Sequence, residues 1–168
     1  MQPEKDGPTI LIIDPEQNIS EMIQSGLRYD SLHVLSTADE MEGIRLAQRI
    51  SPALIIAALP LSFIDGSDLC RRLRNDQRTR AIPILVTSAE TQSRESILAA
   101  GAHDYLARPF TFEDLLQHIL ALLPQEAVAS LHILPSRYNP MRRTRHSIMD
   151  FLEEWTEQAL QDKLKLSD

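Results

Sequence analysis

Lysine is nearly missing from this chain. Lys5, Lys163 and Lys165 are its lysines, so every basic side chain between residues 6 and 162 other than histidine is an arginine. A mechanism that needs a buried ammonium finds none in the body of the protein. Glycine is scarce as well, with 5 residues and no Gly-x-Gly spacing. That excludes a Walker-type phosphate loop and a dinucleotide fingerprint. Cys70 is the single cysteine, so an internal disulfide and multi-cysteine zinc patterns are excluded, and its setting in Asp68-Leu69-Cys70-Arg71-Arg72-Leu73 reads as a buried structural thiol. The polar stretch Met1 to Pro8 has no apolar core of a signal sequence, and the longest apolar run, Ala53 to Leu61, is about half of a bilayer span. The chain therefore reads as soluble and cytoplasmic.

What is present fits one compact domain with an appendage: 168 residues and 43% hydrophobic content, with 24 acidic against 17 basic side chains for a net charge of −7. From Thr9 onward short apolar runs alternate with longer amphipathic stretches, the pattern of a doubly wound parallel sheet. Thr9-Ile10-Leu11-Ile12-Ile13 is apolar on both faces, as a central strand covered on both sides must be. A helix is expected from Glu16 to Tyr29, a strand over His33 to Ser36 and a helix from Asp39 to Ile50. The third strand is Ala53 to Ala58, followed by a helix that ends near Asn75. Strand Ile82 to Thr87, helix Ser93 to Ala100 closed by Gly101, strand Asp104 to Ala107 and helix Phe112 to Leu123 complete five strand–helix pairs.

The chain divides into a disordered N-terminus over 1–8, an α/β domain over 9–123, a linker with an arginine cluster over 124–146, and a C-terminal amphipathic helix over 147–166. Arg137, Arg142, Arg143 and Arg145 carry no acid among them, whereas residues 147–168 hold six acids and two lysines. Ile148, Leu152, Trp155 and Ala159 form a stripe next to Phe151, and burying such side chains contributes about 1.5–3 kcal/mol each. The helix must dock, either on its own domain or on a second copy. Arg142, Arg143 and Arg145 together with Ile148, Phe151, Leu152 and Trp155 are thus the candidate interaction tail. The arginines could touch phosphates, but the net charge and the acidic helix that follows argue against nucleic acid.

The order of the pieces over residues 9–123 resembles the receiver domain of bacterial two-component response regulators. Ile10-Leu11-Ile12-Ile13-Asp14 is similar to the family's first strand with its terminal acid, Ser51-Pro52-Ala53-Leu54-Ile55-Ile56 to its third strand, and Ile64-Asp65-Gly66 to the turn before its third helix. Leu69-Cys70-Arg71-Arg72-Leu73-Arg74, Ile82-Pro83-Ile84-Leu85-Val86-Thr87-Ser88-Ala89 and Gly101-Ala102-His103-Asp104-Tyr105-Leu106-Ala107-Arg108-Pro109-Phe110 extend the match. The resemblance implies a flavodoxin-like, doubly wound five-stranded parallel sheet of strand order 2-1-3-4-5, here followed by a C-terminal helical extension.

The resemblance also implies a reaction, transfer of a phosphoryl group from a partner's histidine to an aspartate at the end of the third strand. That reaction needs a carboxylate nucleophile, an acid pair for Mg²⁺, and a lysine and a hydroxyl for the phosphoryl oxygens. Ala58 stands at the acceptor position and has no lone pair to attack phosphorus. Pro15 replaces the second metal acid, which leaves Asp14 alone and makes Mg²⁺ binding weak or absent, with no other cofactor expected. Arg108 stands where the family has lysine, a planar fork in place of a compact ammonium. Ser88 matches the hydroxyl and Tyr105 the aromatic that swings inward with it, so a switch has parts but no trigger.

Asp14 is expected to cap the chain or to pair with Arg108, and Asp65 reads as turn chemistry. The basic run Arg71 to Arg80 reads first as a solvated face. The histidines His33, His103, His118, His132 and His146 have no metal-ligand spacing. The resulting expectation is a non-enzymatic pseudo-receiver that signals by phosphorylation-independent protein–protein contact, with a histidine kinase or an output protein as partner. Homodimerisation would run through the C-terminal helix or through the face of the fourth helix, fifth strand and fifth helix. The alternatives are a response regulator phosphorylated at an unusual aspartate, Asp65 or Asp14, and a transcription regulator with a DNA-contacting tail.

Overall fold

The computed structural model describes residues 7–26, 32–89 and 94–129. Within them the order is β1 (Thr9–Ile13), α1 (Asn18–Gly26), β2 (His33–Thr37), α2 (Glu40–Ile50), β3 (Leu54–Leu59), α3 (Gly66–Asn75), β4 (Ile84–Ser88), α4 (Arg94–Ala99), β5 (Asp104–Ala107), α5 (Phe112–Leu122) and α6 (Gln125–Ala129). The strands form one all-parallel sheet in the order β2-β1-β3-β4-β5. This is the flavodoxin-like topology implied by the motif order. The central strand β3 is buried along its whole length, which is why Leu54-Ile55-Ile56-Ala57-Ala58-Leu59 lacks any polar alternation.

Side-chain alternation along the strands divides the core in two. Leu11, Ile13, Ile55, Ala57, Ile84 and Val86 pack under α2, α3 and α4, against Ile44, Ala47, Leu69, Leu73 and Ile97. The strand residues of the other parity, including Ile10, Ile12, Leu54, Ile56 and Leu85, are fully buried, as are Ile19 of α1 and Leu115 of α5 to within 1%. Cys70 sits in the first core and is buried as expected, and desolvation pushes its thiol up to about 11. Among the described residues no helix is long and apolar enough to cross a membrane.

The helix ends follow local chemistry. Asp39 caps α2 by accepting from the Glu42 amide at 2.8 Å, and Thr111 forms a reciprocal capping box with Asp114 at the start of α5; each cap is worth about 1 kcal/mol. Gly101 has φ +116°, and a Cβ there would lie 2.5 Å from the Arg74 side chain. Only glycine fits both constraints, as the closing position of α4 predicted.

Several boundaries differ from the sequence reading. Helix α1 starts at Asn18, not Glu16, because Gln17 takes a left-handed φ of 60° and the Asp14 carboxylate seizes the amides that follow. Strand β4 starts at Ile84, not Ile82, because the Ile82 amide closes a turn on the Thr79 carbonyl at 3.0 Å and Pro83 has no amide to contribute. The segment read as linker from residue 124 opens with a helix, α6, whose Val128 amide bonds to the Pro124 carbonyl at 3.0 Å. Residues 1–6, the expected end of the first helix at residues 27–29, and the whole interaction tail with Arg142, Arg143, Arg145, Ile148, Phe151, Leu152 and Trp155 lie outside the described residues.

Candidate functional site

Parallel register gathers the sequence-selected residues at one place. Ile13 pairs with Ala57, Ala58 with Thr87, and Ser88 with Ala107, so Asp14, Ala58, Ser88 and Arg108 all arrive at the carboxyl edge of the sheet. This edge is where open α/β sheets place their chemistry. Asp14, Ala58 and Ser88 are each 1% exposed and Thr87 is fully buried. The Arg108 amide donates to the Ser88 carbonyl at 2.8 Å, which ties the end of β5 to the end of β4.

Asp14 is committed to the backbone. Its Oδ1 accepts from the Glu16 amide at 3.0 Å and its Oδ2 from the Ile19 amide at 2.7 Å, so both oxygens hold the turn into α1. The expected capping role is present. The expected ion pair with Arg108 is not what the structure shows: Arg108 Nη1 approaches Glu16 Oε2 at 4.0 Å, and Nη2 donates to Thr87 Oγ1 at 3.4 Å. The reason is positional. Each Asp14 oxygen is turned to an amide of its own turn, while Glu16 is 65% exposed and presents the Oε2 that accepts from Asn18 Nδ2 at 2.7 Å to Arg108 as well. Arg108 Nε is buried and has no hydrogen-bond partner. Its guanidinium is held at the limit of pairing distance from Glu16.

The donor set does not fit a divalent cation. Hard cations take several oxygens at once, and here Ala58 and Pro15 have no side-chain oxygen while both Asp14 oxygens already accept amides. No cluster of three or more histidine, cysteine or acidic side chains capable of holding a metal is found among the described residues. Asp65, weighed as an alternative acceptor, caps α3 by accepting from the Ser67 amide at 2.6 Å. Tyr105 is half-buried and packs against the α2–α4 side of the core.

Three residues that matter here were not singled out in the sequence. Glu16 and Thr87 are the partners of Arg108; the acid two positions after Asp14 was a usable signal. Glu40 is the third. It is fully buried, its Oε1 accepts from the Phe63 and Ile64 amides, the latter at 3.2 Å, and its Oε2 has no partner. It straps the loop after β3 to the start of α2 and leaves Phe63 82% exposed. Nothing in the helical pattern marks it, because position 40 reads as an ordinary first-turn acid.

The comparisons with known proteins agree with this fold. Residues 10–120 match the response regulator receiver domain family. Over 118 residues the chain is 39% identical to the DNA-binding dual master transcriptional regulator RpaA of Synechocystis sp., covering 69% of this chain and 49% of that protein. A Chloroflexus aurantiacus J-10-fl crystal structure shares 30% identity at a TM-score of 0.62, covering 69% of this chain and 97% of that one. The receiver domain of the Pseudomonas aeruginosa sensor histidine kinase PA1611, solved with magnesium coordinated in its active-site cleft, shares 29% identity at a TM-score of 0.59, covering 69% of this chain and 97% of that one. The chain spans about half the length of the curated relatives it matches. With the family model matching residues 10–120 and the same five-stranded parallel fold, the chain belongs to the response regulator receiver domain family.

Proposed function

We propose that this receiver is degenerate and signals without phosphorylation, as a non-enzymatic protein-binding module of a cytoplasmic two-component pathway. The observation that carries the reading is Ala58 at the carboxyl end of β3, facing Thr87 in register, where a nucleophilic carboxylate would have to stand. Aliphatic carbon cannot displace a phosphoryl leaving group, Asp14 is engaged by two amides, and Pro15 offers no second acid, so Mg²⁺ binding is weak or absent. The partners are proteins, a histidine kinase or an output protein, and a second copy through the C-terminal helix or the α4-β5-α5 face; the mass in solution with and without residues 136–168 tests the last. Incubation with acetyl phosphate or beryllofluoride and Mg²⁺, read by intact mass and amide chemical shifts, tests the central point. The expected result is no adduct and no Mg²⁺-dependent shift at Asp14; a stoichiometric acid-labile phosphoryl adduct would overturn it and would favour an unusual acceptor such as Asp65 or Asp14.

A second reading, that the chain works in transcription through contacts outside the α/β domain, is favoured by the 39% identity to a regulator named as DNA-binding. Steeply salt-dependent DNA binding that disappears when Arg137, Arg142, Arg143 and Arg145 are removed would support it, and no binding at low salt excludes it.

A further inference from the structure

The outer surface of α2 and α3 has a charge opposite to the rest of the domain. Residues 40–80 carry seven arginines against five acids, a net +2, whereas residues 1–39 and 81–129 have net charges of −5 and −4. Two of the five acids serve other ends, since Glu40 is buried beneath the loop after β3 and Asp65 caps α3. The helices are held side by side by a Gln48 Nε2 bond to Asp76 Oδ2 at 2.9 Å and by Arg72 Nη1 on the Met41 sulfur at 3.8 Å. Arg74 is not part of this surface. It donates to the carbonyls of Gly101, Arg80 and Ile82 and contacts His103, which makes it a structural tie between α3 and the segments that lead into β4 and β5.

Arg45, Arg71 and Arg78 pair with Glu42, Asp68 and Asp76, yet all three keep side chains more than half exposed. Arg49, Arg72 and Arg80 are exposed and have no carboxylate within ion-pair distance among the described residues. Exposed pairs contribute about 0–1 kcal/mol to folding, so this surplus does little for stability. It does set up a positive field on one side of an acidic protein, which steers an oppositely charged partner.

We propose that the α2–α3 surface is a docking site for an acidic segment of a partner protein, with Arg49, Arg72 and Arg80, which pair with no carboxylate among the described residues, as its cations. Charge complementarity names the occupant. A nucleic acid fits less well, because the carboxylates of Glu42, Asp68 and Asp76 interrupt the positive surface. A mixed surface with Ile50, 36% exposed at the end of α2, is what a protein segment with both charge and apolar contact requires. The proposal is independent of whether the cleft at Ala58 can be phosphorylated, and its test contains no phosphodonor.

The full chain, isotope-labelled for amide correlation spectra, is titrated in parallel with poly-L-glutamate and with a short DNA duplex at low salt. Saturable, salt-sensitive shifts are expected along the second half of α2, along α3 and in the turn to Arg80 with poly-L-glutamate. The R49Q/R80Q variant, which leaves the Arg72 contact to Met41 in place, should keep the wild-type fold and melting temperature while binding about tenfold more weakly. Shifts confined to residues 137–146, no shifts at all, undiminished binding by the variant, or tighter binding of the duplex at this same surface would each overturn the proposal.

Discussion

Arg108 reaches Glu16 at 4.0 Å and leaves Asp14 to the backbone. Arg108 and Asp14, which the sequence allows to pair, are therefore separate devices. One closes the turn into α1, and the other lies across the end of β4 with one buried N–H unpartnered.

That separation predicts the outcome of restoring the acceptor. Ala58→Asp alone should not give Mg²⁺-dependent phosphorylation by acetyl phosphate, because the new carboxylate would pair with Arg108 while the cation still finds no second acid at Pro15. Intact-mass measurement before and after acid treatment reads the result, and robust labelling of the single variant would show that the acid pair is dispensable here.

Removing the Asp14 carboxylate should act on stability. Asp14→Ala leaves the Glu16 and Ile19 amides without acceptors at a buried position and should cost about 1–3 kcal/mol in urea unfolding. Asp14→Asn keeps one acceptor oxygen and should lose less. Equal losses for the two variants would mean that the amides are satisfied otherwise.

The Glu40 strap separates in the same way. Glu40→Ala removes the acceptor of the Phe63 and Ile64 amides and should speed hydrogen exchange at both. Glu40→Gln retains an oxygen for them, and its new NH₂ group replaces an oxygen that has no partner, so exchange there should stay close to wild type. If both variants exchange alike, the strap does not hold the loop.

His103 supplies a pH dependence with a defined sign. Burial, and secondly the Arg74 charge, hold its pKa below the ordinary 6.5, in keeping with a ring nitrogen that faces the N–H groups of Arg74 and Ile84. Between the folded value and 6.5 the unfolded chain binds more protons, so this group's contribution to stability is complete above pH 6.5 and is lost as pH falls through the folded value. In His103→Asn, which keeps an acceptor and does not titrate there, the melting temperature should fall less between pH 7 and pH 5 than in the wild type. A difference of the opposite sign would mean that the histidine is stabilised as the cation.

The apolar runs, the caps and the proline and glycine positions of residues 9–123 determine the α/β class and nearly every element, because a strand buried on both faces and an amphipathic helix leave distinct periodicities in a linear string. The same string sets the side-chain chemistry available at the sheet edge: Ala58, Pro15 and Arg108 have fixed chemistry wherever they stand, and the gap in lysine covers the edge residue as well. Tertiary structure alone decided which groups meet. Glu16 rather than Asp14 faces Arg108 because Asp14 is consumed by amides that a left-handed Gln17 turns toward it, and Glu40 is buried because the loop after β3 folds over it. Neither fact has a sequence period. The first needs the residue after β5 to arrive beside the turn after β1, and the second needs the loop after β3 to arrive at the start of α2, and both meetings exist only once the sheet has assembled.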